Sequence, residues 1–326
     1  MKILFMGTDQ FAVPSLEALA EKHTVRAVIT RPDKPRGRGQ KVSPTPVKDA
    51  AIKLGIPVFE PKNLKSSSFK EEILKLDFEL VVLVAFGRLL PEEFLDIPER
   101  GSICLHPSML PEYRGCSPIE CAILDGRERT GISVFFIEKD VDSGDIIYQE
   151  EFEIMPDDTG GTLRKRLSEE SPRVLLRALK LIETGCDVAF PQKAEHSSYA
   201  PKVCKEDALI DWRDAADVIN NKIRAYNPKP GAHTYFRGKT LKILKAAPIN
   251  KNSDCKPGTI IGIEKNKGII VACGQGSLLL TEVQPEGRKP MNVSSFSAGH
   301  RPYSGERMTL QPEELPDSGQ SMPVVL

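Results

Sequence analysis

The chain has a single tryptophan, and aromatic residues make up only 6% of its 326 positions, so any core must be built mainly from Leu, Ile and Val. No apolar run approaches the roughly 20 residues that a membrane-spanning helix needs. The first residues, Met1 to Gly7, already read as a strand, with no charged-then-apolar leader and no small-residue cleavage site, which points to a cytoplasmic protein and no membrane partner. The 7 cysteines are odd in number and show neither CxxC nor Cys/His ligand spacing, which argues against a disulfide framework and against a metal site. Glycine is missing where a dinucleotide fingerprint requires it. Gly7-Thr8-Asp9-Gln10-Phe11-Ala12 follows the first strand but lacks the second and third glycines, so no nicotinamide or flavin cofactor is expected, and there is no Walker lysine motif. Net charge is also absent from the whole chain, yet it is segregated: −4 up to Glu206, +7 from Asp207 to Arg301 and −3 beyond. A basic segment on a neutral chain suggests a polyanionic partner, although an ordinary lysine-rich surface would read the same way.

At 326 residues the chain is long enough for two domains. Lys2 to Met6, Val25 to Thr30, Pro57 to Phe59 and Leu80 to Phe86 read as strands, with helical patterns after Gly7, at Lys48 to Leu54 and at Phe69 to Leu76. Leu80 to Phe86 is uninterrupted and apolar, the mark of a strand buried on both faces of a parallel sheet. Strands at Ser102 to Leu105, Gly131 to Ile137 and Ile146 to Ile154 follow, and a long helix over Thr162 to Thr184 closes the domain. This alternation predicts a doubly wound, Rossmann-like α/β domain over residues 1–190. Residues 191–206 are polar and aperiodic and read as a linker. A helix over Arg213 to Ala225 is ended by Asn227-Pro228-Lys229-Pro230-Gly231. Short strands with glycine turns then predict a small OB-like β-barrel over residues 207–301. The stretch 302–326 is rich in Pro, Ser and Glu, and disorder is expected there.

The chemistry concentrates in Ser102 to Gly115, where an apolar strand runs into His106 and a proline-braced loop. Ligands of open α/β sheets bind where loops leave the carboxyl ends of strands. Residues two apart on a strand share a face, so Cys104 and His106 should project into one cleft. Asp140-Val141-Asp142-Ser143-Gly144-Asp145 follows the next strand and offers carboxylates at a turn. An Asp beside a His orients the ring and favours the imidazolium, which can stabilise an oxyanion. A structural histidine before proline and an ordinary Asp-Ser-Gly turn would look alike at this level.

The residues 106 to 115, His-Pro-Ser-Met-Leu-Pro-Glu-Tyr-Arg-Gly, together with Val-Asp-Ser-Gly-Asp at 141 to 145, resemble the signature of the folate-dependent formyltransferases. The basic stretch 30 to 48, Ile-Asp-Trp-Arg at 210 to 213 and Ile-Arg-Ala-Tyr-Asn-Pro-Lys-Pro-Gly-Ala at 223 to 232 are similar to the members of that family that act on methionyl-tRNA, and the likeness runs to Arg301. The resemblance implies transfer of a formyl group from 10-formyltetrahydrofolate, a co-substrate, to methionine on initiator methionyl-tRNA. It implies His106 and Asp142 as catalytic residues. It places the folate-contacting loop at Ser108, Met109, Leu110 and Pro111, and the pterin pocket at Phe86, Gly87 and Leu89 with their neighbours. Arg36, Arg38 and Lys41, in a Pro- and Gly-containing surface loop, are the residues expected to grip tRNA, and a monomer is expected.

Cys104 departs from the family pattern, which has asparagine two residues before the histidine. An amide N–H donates to an oxyanion, whereas a thiol is a weak donor. Three consequences remain open on the residues alone: another donor substitutes and the enzyme works, the protein is a weakened folate- or tRNA-binding homologue, or the thiolate accepts the formyl group covalently. A sugar-nucleotide formyltransferase would share the folate site but has no use for an Arg-Gly-Arg-Gly loop beside a basic barrel.

Overall fold

The apolar runs form the middle of a sheet. A computed structural model describes residues 1–36, 41–95, 97–185 and 189–312. In chain order its first part comprises β1 (Lys2–Gly7), α1 (Val13–Lys22), β2 (Thr24–Ile29), β3 (Lys34–Arg36), β4 (Lys41–Ser43), α2 (Pro46–Lys53), β5 (Val58–Phe59), α3 (Ser67–Leu74), β6 (Leu80–Val84), β7 (Ser102–His106), β8 (Arg114–Gly115), α4 (Pro118–Leu124), β9 (Arg129–Phe136), β10 (Ile146–Glu153), α5 (Gly160–Thr184) and β11 (Tyr199–Ala200). The main sheet has the order β10-β9-β7-β6-β1-β2-β5. Its strands from β5 to β7 are parallel, and β9 and β10 are antiparallel. Leu4, Met6, Ala27 and Ile29 pack with Phe69 and Ile73 of α3, while Ile3, Phe5, Val28 and Val82, pointing the other way, are equally buried. Both faces are therefore covered, as the unbroken apolar run requires. Local signals set the helix starts. At α2, Thr45 accepts the Lys48 N–H at 3.1 Å and proline occupies the first turn.

The second part contains α6 (Ala216–Ala225), β12 (His233–Phe236), β13 (Lys239–Ile249), β14 (Ile260–Glu264), β15 (Gly268–Ala272), β16 (Ser277–Pro285), β17 (Met291–Asn292), α7 (Val293–His300) and β18 (Met308–Thr309). Its antiparallel sheet runs β14-β15-β16-β13-β12-β18, and a bridge between Thr259 and Arg307 joins the first strand's approach to the last strand's, curling the sheet into an OB-like barrel. Trp212, Ile219, Ile223, Phe236, Ile243 and Leu280 are among its core residues. By contact the chain divides into one unit of 1–119, 128–154 and 162–202, and another of 120–127, 155–161 and 203–326. No helix among the described residues is long and apolar enough to cross a membrane.

Three expectations change. The helix expected from Arg213 begins at Ala216, because the Asp211 carboxylate takes both the backbone N–H and the guanidinium of Arg213 and holds them in a turn. Of the stretch 191–206 expected to be a linker, residues 191–202 belong to the first unit, where β11 pairs with β8. Disorder from residue 302 does not hold for 302–312: Met308 is 1% exposed, β18 pairs with β12, and Glu306 forms an ion pair with Arg237 at 2.7 Å. One buried methionine outweighs a polar local composition. Residues 313–326 lie outside the described residues.

Candidate active site

His106 ends β7 and is 5% exposed. Its Nε2 lies 2.9 Å from the Tyr113 carbonyl oxygen. A carbonyl only accepts, so Nε2 carries the proton and donates it there. The other edge, Nδ1, is turned to Asp142, whose Oδ2 is 3.6 Å away, too far for a hydrogen bond and within ion-pair reach. That same Oδ2 accepts the Gly115 N–H at 2.8 Å. Tyr113 (φ +58°) and Asp142 (φ +51°) are both non-glycine residues in the left-handed region, a conformation that costs about 1–3 kcal/mol and collects at functional sites. The two oxygens flanking the imidazole are thus carried by strained residues.

Because β9 is antiparallel to β7, its end lies beside Ile103 and not beside His106. The loop after β9 has to double back to bring Asp142 to the imidazole. Gly144 permits this, since a Cβ there would sit 1.8 Å from the Phe136 carbonyl oxygen. Gly115 is required for a second reason. Its φ is +116°, and a Cβ would meet the Ala200 carbonyl oxygen at 2.6 Å.

Leu83, Cys104 and Phe135 are cross-strand neighbours on β6, β7 and β9. They line a cavity of about 310 Å³ together with Arg88, Leu89, Leu90 and the Ile137-to-Asp142 stretch. The cavity thus sets the apolar Leu83, Leu89, Leu90 and Phe135 beside the Asp142 carboxylate that faces His106.

Residues 1–179 match the family described as Formyl transferase, and residues 202–301 match the formyl transferase C-terminal domain. The chain belongs to the formyl transferase family. A protein named methionyl-tRNA formyltransferase from Syntrophus aciditrophicus is 44% identical over 306 residues, and one of the same name from Moorella thermoacetica is 42% identical over 307. Each match covers 94% of this chain and 98% of the relative. Among solved structures, an N-formyltransferase from Helicobacter canadensis in complex with folinic acid and dTDP-3-aminofucose matches at TM-score 0.65 and 21% identity, covering 87% of this chain and 99% of that one. Methionyl-tRNA formyltransferase from Clostridium thermocellum matches at 0.56 and 16%, covering 87% and 98%. HypX from Aquifex aeolicus in complex with tetrahydrofolic acid matches at 0.62 and 19%, covering 97% of this chain and 50% of HypX, so the chain spans about half of HypX. At such identities these structures establish the fold alone.

Within this formyltransferase the residues picked out from sequence do not all meet. Leu89, Cys104 and Asp142 line one cavity, with His106 against Asp142. Phe86 does not: it is 1% exposed in the core with Leu4 and Met6, and its carbonyl accepts the Thr8 hydroxyl at 3.1 Å. Gly87 has φ +69°, with the Arg31 guanidinium laid over it. Ser108 to Pro111 build the histidine loop and do not line that cavity. The Ser108 hydroxyl donates to the Glu112 carbonyl at 2.6 Å, and the Ser108 carbonyl accepts from Ser133 at 2.6 Å. Met109 fills the space above Gly131, and Leu110 packs with Cys104 and Phe135. Pro111 accepts the Ser198 N–H at 3.3 Å. Arg36 and Lys41 stand opposite each other in the hairpin of β3 and β4. Arg38 lies outside the described residues.

Cys104 is 8% exposed. Burial, and then the nearby Asp142 charge, push its thiol well above the usual cysteine range, so the sulfur stays protonated at neutral pH. Its hydrogen-bond acceptor is the Leu105 carbonyl at 3.7 Å, while His106 is engaged by Tyr113 and Asp142. Sequence reasoning missed Tyr113, Arg114, Ser133 and Gln192, which hold the two loops. Arg114 stood inside the quoted motif, but its partner Gln192 lay in the aperiodic stretch and carried no local signal.

Proposed function

We propose that this chain transfers the formyl group of 10-formyltetrahydrofolate to the α-amino group of methionine on initiator methionyl-tRNA, in the cytoplasm. The observation that carries the reading is the His106–Asp142 pair, whose carboxylate lines a cavity with Leu83, Leu89, Cys104 and Phe135, in a chain that aligns over nearly its whole length with proteins named for this activity. The pterin occupies the cavity against Leu89, Leu90 and Cys104, and the 108–111 loop supports its wall from behind. The amine lone pair attacks the formyl carbon, and the carbonyl electrons move to oxygen. His106, protonated at Nδ1, stabilises that oxyanion, and the Asp142 carboxylate supplies the opposing negative charge. Asp142, through a water, takes the amine proton. Collapse of the adduct re-forms the carbonyl and breaks the bond to the folate nitrogen, which leaves with a proton. A protonated, buried Cys104 is a poor nucleophile, which favours direct transfer over a formyl thioester. Arg36, Arg38 and Lys41 contact the acceptor end through its phosphates.

The test is a formylation assay with 10-formyltetrahydrofolate and either charged initiator tRNA or an amino-sugar nucleotide. Formyl-methionyl-tRNA and no formylated sugar are expected. The reverse would overturn the reading, and tRNA binding without turnover would leave only the binder. In the same assay the double variant Arg36→Ala/Arg38→Ala raises KM for tRNA and leaves KM for folate in place.

A further inference from the structure

Gln192 uses its side-chain amide in two directions at once. Its Oε1 accepts from Nε and Nη2 of Arg114 at 3.0 and 2.7 Å, and its Nε2 donates to the backbone carbonyls of Asp142 and Gly144 at 3.0 and 2.8 Å. A guanidinium only donates and a carbonyl only accepts, so this amide has one permitted orientation. Arg114 directly follows Tyr113, whose carbonyl holds Nε2 of His106, and Asp142 faces Nδ1. One side chain therefore ties the loop on one edge of the imidazole to the loop on the other. The neighbouring chain reinforces the tie: Ser198 Oγ accepts the Tyr113 N–H at 2.8 Å, and the Ser198 carbonyl accepts the Arg114 N–H at 2.9 Å.

We propose that Gln192 is a positioning residue for formyl transfer, which sets the gap between Asp142 and His106 by pinning Asp142 in its left-handed conformation. The proposal rests on the reading of His106 and Asp142 as the reacting pair. At φ +51° the Asp142 backbone gains by relaxing, and the Gln192 bond to its carbonyl opposes that. Without the bond the carboxylate is left on the Gly115 N–H alone while its backbone relaxes, and a displacement of about 1 Å at reacting groups costs on the order of 100-fold in rate. The other cavity-lining side chains keep their places, so the loss falls chiefly on kcat.

The experiment measures kcat and both KM values for Gln192→Ala, Gln192→Glu, Asp142→Asn and the double variant Gln192→Ala/Asp142→Asn, with urea unfolding of each. Gln192→Glu keeps size and the Arg114 fork but sets an oxygen against two carbonyl oxygens. Both Gln192 variants are expected to lose about 100-fold in kcat, with KM values and unfolding midpoints retained. Gln192→Ala is expected to add nothing once Asp142 is Asn, because residues acting through one another are not additive. Full kcat in both Gln192 variants, with kcat lost in Asp142→Asn, overturns the proposal alone. So does a loss that persists undiminished in the double variant. Full kcat in Asp142→Asn overturns the reacting pair and the proposal with it.

Discussion

Cys104 and Asp142 share the cavity wall, so in the proposed reaction the residue at 104 lies beside the developing oxyanion. A thiol offers one weak donor, already aimed at the Leu105 carbonyl, whereas an asparagine of nearly the same size offers a carboxamide N–H. Cys104→Asn is therefore expected to raise kcat by about 100-fold, the lower end of what one oxyanion donor contributes. Single-turnover formylation measures it, and an unchanged or lower rate would show that another group already fills the role. Residue types alone offered Asp140 and Asp145 as well, while the pairing of His106 with Asp142 was implied in sequence by the resemblance of their motifs to the formyltransferase signature. Their geometry was not, because it depends on Tyr113 and on a loop that doubles back from an antiparallel strand.

At the scale of elements, the site is two loops laced to a third stretch of chain. β8 and β11 are only two residues long each, yet their pairing fixes Gly115, whose N–H holds the Asp142 carboxylate. Gly115→Ala places a Cβ 2.6 Å from the Ala200 carbonyl at φ +116°, so the pairing of Gly115 with Ala200 must shift. The expected cost is about 2 kcal/mol of stability from backbone strain. The Asp142 contact is lost as well, so kcat falls. Urea denaturation and formylation kinetics on one preparation check both, and wild-type values in either would show that the pairing is dispensable. The long regular elements were read from periodicity nearly to their ends, since burial on one or both faces writes itself into residue spacing. Strands as short as β8 and β11 leave no such trace.

For the whole molecule, the barrel's closure depends on residues after Arg301. Met308 is part of the core built on Phe236, Ile243 and Phe296, and the Thr259–Arg307 bridge joins the sheet's two edges. A chain ending at Arg301 is expected to lose about 2–5 kcal/mol from the missing methionine alone, and the Glu306–Arg237 pair goes with it. The unfolding midpoint of the truncated protein in urea measures this, and an unchanged midpoint would mean that β18 merely covers a barrel that is stable without it.

The sequence by itself determined the doubly wound sheet and the basic barrel, because alternating and continuous apolar runs, turn residues and charge are local properties, and its resemblance to the formyltransferase signature implied the pair His106 and Asp142. Only the tertiary structure decided that Phe86 belongs to the core, that Leu110 packs with Cys104 and Phe135, that the Cys104 thiol is buried and its pKa raised, and that Gln192 links the two loops. These depend on hydrogen bonds and burial between residues tens of positions apart, which have no period along the chain. The same holds at the carboxyl-terminal end of the barrel, where one methionine finds a core that its own neighbourhood in sequence does not announce.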